Sequence, residues 1–462
     1  MKGRAPLGAE FSRQVRRGEV SSSGRMIVAS SGRGNNGVGK ASWRGWVIWL
    51  TAALFYLYEF FVRVAPSAME PELQATFHLS AAALGAAMGV YYFIYSPMQL
   101  LAGSFLDRFG AKQVLVPAAL ICTLGCFLQA FGHTPFLLST SRFFQGFGSA
   151  FAFVGTMYLA AEWFPRSMLG RLSGLTTSLG MAGAIIGNAG IADVVDRFGW
   201  RQALTVAGGV GIGITLLILL IVPKESRKQH ARAKAAELDR GPDILQALRI
   251  VYSNPQSWFA GIVGTALYMP LSILGALWGE EYIMAMTGST KVSAAGAVSM
   301  LYVGWLVGGP LAGWFSDHKG IRRNLLLTAG SLTLLVTLVV VLIPSLSITG
   351  AYALMLLLGL VSCSQVVCFV TAVEHNPPSV AGTAIAATNM MIMFLGGMGE
   401  WLFGVTLDYF GGGGDADRYP ESAFRKAILI LPLIAALGTA AAFFLKESYR
   451  KADPPTGPEP IG

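Results

Sequence analysis

Twelve apolar runs, most of them about twenty residues long, govern what this chain can become. They lie near 46–66, 82–105, 113–131, 136–161, 168–192 and 201–222, then 257–279, 293–315, 324–343, 350–372, 380–406 and 424–445. A run of this length matches the rise of a helix through bilayer hydrocarbon. A backbone in hydrocarbon must satisfy its own hydrogen bonds, so such runs fold as helices. The expectation is an all-α membrane protein with twelve transmembrane helices in two six-helix bundles. The predicted parts are a basic tail at 1–45, a bundle at 46–222, a linker at 223–249, a second bundle at 250–446 and a short tail at 447–462. Only 13% of the 462 residues are charged, against about 25% in soluble chains.

The net charge of +9 does not indicate a nucleic-acid partner, because the basic residues sit in polar stretches between apolar runs. Nine of them precede Trp46 against two acids, and Lys224, Arg227, Lys228, Arg232, Lys234 and Arg240 fill the central break. Lys446, Arg450 and Lys451 follow the last run. With an even number of spans these places share a side, which the positive-inside rule makes cytoplasmic. Loops carrying Glu70 and Glu72, or Asp415 and Asp417, then lie outside. Both termini are expected in the cytoplasm, in a multi-pass protein of the bacterial inner membrane acting as a monomer. Residues 1–43 are rich in Gly, Ser and Arg, lack a signal-peptide core and are expected to be disordered.

The halves repeat. Gly103-Ser-Phe-Leu-Asp107-Arg108-Phe-Gly110-Ala-Lys112 follows the second run, and Gly313-Trp-Phe-Ser-Asp317-His-Lys-Gly-Ile-Arg322 follows the eighth. Asp196-Arg-Phe-Gly199 is echoed by Asp408-Tyr-Phe-Gly411, and Lys224-Glu-Ser226 by Lys446-Glu-Ser448. Internal duplication with a solute site between the repeats is a transporter design.

On these motifs the chain resembles the major facilitator superfamily from about Trp46 to Arg450. The family's cytoplasmic signature is matched at Gly103, Asp107, Arg108, Gly110 and Lys112, with Ala111 departing at one basic position. Its fourth-helix signature is matched by Arg142-Phe-Phe-Gln145-Gly146. The resemblance implies a cytoplasmic gate that also takes in Asp317 and Arg322. Tight turns there would need glycines at Gly103 and Gly110, and Asp107 could cap a neighbouring helix.

Ionisable residues inside spans are costly and mark functional sites. Glu59 and Arg63 share a face of the first helix at i,i+4, either as a mutual ion pair or as a proton site and a binder of a substrate carboxylate. Arg63-Val-Ala-Pro-Ser67 is similar to the first-helix motif of organic anion symporters, and the stretch from Tyr58 to Ser67 looks like phagosomal transporters of amino acids and nucleosides. Those symporters carry acids where this chain has Val62 and Ser149, which leaves Glu59 as the local proton candidate. Arg142 suits an anionic group, and Glu400 in the eleventh helix is a second proton candidate. Tyr91 and Tyr95 share a face of the second helix; Tyr268, Gln365 and Asn389 complete the candidate substrate contacts.

Gly34-Asn-Asn-Gly-Val-Gly39-Lys40-Ala41 lacks the strand and the final hydroxyl of a phosphate loop. Gly412-Gly-Gly414-Asp415 falls in a polar loop without a partner Asp, and the four cysteines have no ligating neighbours. Neither an enzyme nor a cofactor or metal is expected. The fifth helix matches the antiporter signature at Gly174, Gly183 and Gly187 but carries Asn188 where proline is required. The leading expectation is a secondary transporter of a small, carboxylate-bearing metabolite by proton symport. A proton-coupled efflux antiporter is the first alternative, and a non-transporting sensor on the same scaffold is the second.

Overall fold

The computed structural model describes residues 42–165, 168–224, 243–343, 346–412 and 419–448. The termini, most of the central break, and Asp415 and Asp417 lie outside the described residues, and with them most of the charges that carried the predicted orientation. Eleven helical segments are long and apolar enough to cross a membrane. They are α1 (Trp43–Phe77), α3 (Ala111–Phe131), α4 (Pro135–Trp163), α5 (Arg171–Phe198), α6 (Trp200–Ile221), α7 (Pro255–Thr287), α8 (Lys291–Lys319), α9 (Arg323–Leu342), α10 (Ile348–Glu374), α11 (Pro378–Gly411) and α12 (Glu421–Phe444). Between α1 and α3 runs α2 (Ala81–Phe109), whose 29 residues include three tyrosines and Pro97 and so read as less apolar. A short helix, Ile244–Ser253, leads into α7.

Every apolar run became a helix, but two ran further than the sequence indicates. α1 continues through a tight turn at Ala65–Met69 into a helix at Glu70–Phe77, so Glu70 and Glu72 are helical, not loop residues. α7 passes beyond 279 to Thr287 and carries Glu280 and Glu281 inside the fold. The helix interiors of α5 and α7 each contain a π-helical stretch, Ile186–Gly190 and Leu271–Trp278, the latter following Pro270, which has no N–H to donate. Such stretches re-aim side chains and recur at functional sites.

Helices before residue 224 pack mainly on one another, α1 on α4 and α5, α3 on α4 and α6. Those after 243 do the same, α7 on α11 and α12, α8 on α10, α9 on α12. Three pairs join the sets: α2 runs along α11, α5 packs on α8, and the end of α1 meets α7. In membrane helices small residues permit this closeness. A Cβ on Gly85 would lie 2.7 Å from the Glu400 carbonyl, and one on Gly404 2.3 Å from that of Ala81. Gly183 and Gly187 serve α1 in the same way, their Cβ positions 2.1 Å from the Leu57 carbonyl and 2.7 Å from that of Phe61. Two of the three glycines of the partial antiporter match on α5 therefore serve packing, whereas nothing lies within 4 Å of a Cβ built on Gly174.

α2 and α11 are antiparallel, since Ala81 meets Asp408 at one end and Gln99 meets Asn389 towards the other. This defines a face holding the start of α1 and the end of α12, here called the chain-end face, and an opposite far face.

Candidate functional site

At the centre of the interface, the Arg63 guanidinium donates to Glu59 Oε1 at 2.6 Å and, through Nε, to the Tyr91 hydroxyl at 3.3 Å. Tyr91 in turn donates to Glu59 Oε2 at 3.2 Å. Glu59 is wholly buried and Arg63 is 3% exposed. Burying such a pair repays its desolvation only when the remaining donors and acceptors are met, and Tyr91 closes that triangle. Rings complete the pocket around the cation: Arg63 lies 4.3 Å from the Phe60 centroid and 4.8 Å from that of Tyr95.

Arg142 approaches the same tyrosine from the other side, 4.6 Å from the Tyr91 ring. Its terminal nitrogens donate to the backbone carbonyls of Val62 and Arg63, at 3.2 and 3.3 Å, and to Gln145 Oε1 at 2.8 Å. Gln145 continues to Gln129 at 2.9 Å. The fourth-helix arginine thus holds the last turn of the helix that carries Arg63, and its Nε–H is without a partner. The motif's glycine has an equally concrete purpose, since a Cβ on Gly146 would sit 2.3 Å from the Tyr91 carbonyl.

The second half contributes Glu400, 1% exposed, whose Oε1 accepts from Ser272 at 3.2 Å. The π-helical stretch of α7 presents that serine, which also donates to the Gly396 carbonyl, and Trp278 Nε1 donates to the carbonyl of Glu400. Arg142 and Arg63 act on Glu400 through the intervening space, and Tyr268 lies beside Tyr92 within electrostatic reach of Arg63 and Glu400. Glu59, Arg63, Tyr91, Tyr95, Arg142, Tyr268 and Glu400 are thereby gathered in one buried layer. Asn389 is not at its centre; it donates to Gln99, which donates to Tyr95 at 2.6 Å. Gln365 is buried in a tight turn of α10 against α7 and α8 and hydrogen-bonds none of these groups.

The far face is closed by polar ties between the two sets of helices. The Ala81 and Ala82 amides at the start of α2 both donate to Asp408 at 2.9 Å, a side-chain cap supplied by another helix. The repeat mate of Asp408, Asp196 at the end of α5, lies 3.8 Å from Lys291 at the start of α8. Lys291 also meets Glu72 at 2.5 Å. Asn188 donates to the Gly275 carbonyl at 2.9 Å, joining the two π-helical stretches by a bond that a proline could not make.

On the chain-end face, Arg322 between α8 and α9 clamps Glu374 at 3.0 Å and Asp317 at 2.7 Å. Partial burial works against its charge, but the bonds from Glu374 and Asp317 outweigh this and raise the guanidinium above its ordinary value. Glu447 accepts from the Arg322 amide at 2.8 Å, and Ser448 donates to Glu374 at 2.6 Å, so this repeat ties the α8–α9 turn to the chain past α12. Arg322→Gln is expected to lower stability by about 1–3 kcal/mol, read as the midpoint of thermal unfolding in detergent; an unchanged midpoint would make the clamp a surface ornament. In the first repeat the expected tight loop is partly corrected. α2 continues to Phe109, so Gly103 and Asp107 are helical, and nothing lies within 4 Å of a Cβ built on Gly103. Gly110 does turn the chain, at φ +83°, between Arg108 and Lys112.

The sequence profile described as Major Facilitator Superfamily matches residues 48–399. The chain belongs to the major facilitator superfamily. Among curated relatives, "Probable sulfoacetate transporter SauU" of Cupriavidus necator is 28% identical over 60% of this chain, which spans 66% of that relative's length. "Membrane sensor protein UhpC" of Escherichia coli is 25% identical over 84% of this chain and 91% of its own. Among solved structures, a bacterial homologue of the human lysosomal transporter Spinster, in an inward-facing and occupied conformation, superposes with a TM-score of 0.72. It is 15% identical and covers 89% of this chain and 98% of that chain. With eleven helices apolar enough to span a bilayer, this superfamily member is a multi-pass membrane protein.

Proposed function

We propose that this superfamily member carries a small organic anion, a carboxylate or sulfonate, across the bilayer by alternating access with proton symport. The observation that carries the reading is the buried Glu59–Arg63 pair, 2.6 Å apart and bridged by Tyr91. Glu59 occupies the arginine as an internal carboxylate that a substrate anion of like chemistry would replace. Two arginines and two carboxylates, Arg63 and Arg142 with Glu59 and Glu400, balance in this layer. An entering monoanion leaves one uncompensated negative charge in a low-dielectric site, and a proton on Glu59, with Glu400 as the second candidate, removes it. Once Glu59 is neutral, Arg63 is released to the substrate, and the Arg142 Nε–H is a second donor. Tyr91, Tyr95 and Tyr268 wall the site; Gln365 and Asn389 stand at its edge. The similarity to SauU, whose name describes a transporter of a sulfonate-bearing anion, supports this class.

In the same reading α2 is the twelfth span, residues 46–222 and 250–446 form the two rocking bundles, and the chain-end face is cytoplasmic, in a bacterial inner membrane. Gly103, Asp107, Arg108, Gly110, Lys112, Asp317 and Arg322 form the gate on that face. The open space beside Gly103 belongs to a state in which the far face is shut.

Similarity to UhpC over 84% of the chain favours a second reading, a sensor that binds the anion without moving it. Uptake of labelled sulfoacetate, short monocarboxylates and neutral analogues into proteoliposomes, with and without an imposed pH gradient, separates the two. The transporter reading expects concentrative uptake of anions alone. Saturable binding with no uptake or counterflow of any anion would support the sensor.

A further inference from the structure

The far-face junction of α1 and α7 buries acid that the central site does not use. The turn Ala65–Met69 of α1, which leads into the helix Glu70–Phe77, packs against the π-helical stretch and the helix Gly279–Thr287 of α7. Ser67 and Glu280 are each 1% exposed, and Glu70 is 3% exposed. Neither oxygen of the Glu280 carboxyl has a hydrogen-bond partner at normal distance and angle; the nearest donor is the Ser67 hydroxyl, close enough to act on it but itself making no bond of that geometry.

The charged and titratable groups facing Glu280 are Lys291 at the start of α8, Glu281 on its own helix, Glu72 on α1 and Tyr302 on α8; Glu70 lies beyond Glu281, and Asp196 at the end of α5 beyond Lys291. Lys291 is the single ammonium among five carboxylates and is already held by Glu72 at 2.5 Å and Asp196 at 3.8 Å. Glu70 is held by Gln74. Among the described residues no group of three or more His, Cys, Asp or Glu side chains is placed to hold a metal ion. A carboxylate anion buried without a donor costs several kcal/mol, whereas the neutral acid costs far less. When α1 and α7 part on the far face, the same carboxyl meets water and the penalty disappears.

We infer that the α1–α7 junction is a proton-binding site, with Glu280 the acceptor beside Ser67, and that its proton favours closure of the far face. The site is separate from Glu59, whose oxygens are already taken by Arg63 and Tyr91. The inference needs alternating access but not the identity of the solute, so it survives if the proposed anion is wrong. The closed state holds the proton and the open state releases it, so closure strengthens as far-side pH falls and weakens as it rises.

The test uses the full chain in proteoliposomes with a cysteine at Met69, fully buried while the far face is closed. The four native cysteines are buried and give little background. Labelling by a membrane-impermeant maleimide is read between pH 5 and pH 8, as a ratio to a chain with a cysteine at the exposed His133, which cancels the reagent's own pH response. With Glu280 in place the ratio is expected to rise roughly tenfold over that range, which is about one pKa unit of linkage. Glu280→Gln is expected to hold it low and flat, and Glu280→Asp to restore the rise with a displaced midpoint. The same rise in Glu280→Gln as in the parent, or no rise in the parent, overturns the inference. So does a Gln variant that is flat because labelling is high throughout, since that face would be open rather than latched. Both variants are compared only after their unfolding midpoints match the parent's.

Discussion

Arg63→Ala is expected to abolish anion uptake and to destabilise the protein by about 3–5 kcal/mol. The two effects have different origins. Uptake fails because the cation that would receive the substrate is gone. Stability falls because Glu59, wholly buried, keeps only its bond from Tyr91. Arg63→Met combined with Glu59→Gln should recover most of the lost stability while remaining inactive, since an uncharged, well-packed replacement is close to neutral for a buried pair. Uptake rates and unfolding midpoints measured on the same three preparations check this. Equal destabilisation in the single and double variants would mean that the pair is not what sets the cost. Arg63→Lys keeps the charge but cannot span both Glu59 and Tyr91 as the planar fork does, and uptake should fall at least about tenfold, the equivalent of one lost charged hydrogen bond of ~1.4 kcal/mol or more.

Gly146→Ala is expected to be nearly as damaging although it removes no polar atom. The added methyl would stand 2.3 Å from the Tyr91 carbonyl and 2.7 Å from Ile94 Cγ2. Backbone cannot yield as the end of a side chain can, so α4 must move away from α2. That motion carries Arg142 off the Val62 and Arg63 carbonyls and Tyr91 off Glu59 at once. A cost of about 1–3 kcal/mol is expected from the overpacking alone, with uptake largely lost. Gly103→Ala is the internal contrast, because its Cβ meets nothing within 4 Å in this state. Unfolding midpoints should separate the two; a Gly146→Ala protein as stable and active as Gly103→Ala would show that the α2–α4 approach is not tight.

The helices were legible because the bilayer imposes a length and an apolar composition on each one. That signal fails where helices leave the hydrocarbon, which is why Glu280 and Glu281 fell beyond the apolar run ending at 279 yet proved to be buried helix. The Glu59–Arg63 pair was legible from i,i+4 spacing. The third member of the triangle was not, since Tyr91 and Tyr95 only announced a shared face. Arg142 was read as a free anion binder, whereas most of its donors go to backbone carbonyls, acceptors that every residue has and no sequence marks. The serine that holds Glu400 lies 128 residues away on a π-helical stretch that periodicity does not reveal. The duplicated Asp-x-Phe-Gly motif was visible as a repeat, but its use at Asp408, capping the first turn of a helix from the other half, required the fold.

The most direct test of the proposed coupling is accumulation of labelled anion in proteoliposomes under an inward proton gradient, for the native chain and for Glu59→Gln. Because the substituted amide cannot take up a proton, the variant should still exchange anion in counterflow but lose concentrative uptake driven by the gradient. Gradient-driven accumulation by Glu59→Gln equal to that of the native chain would contradict the assignment of Glu59 as the residue that couples proton to anion.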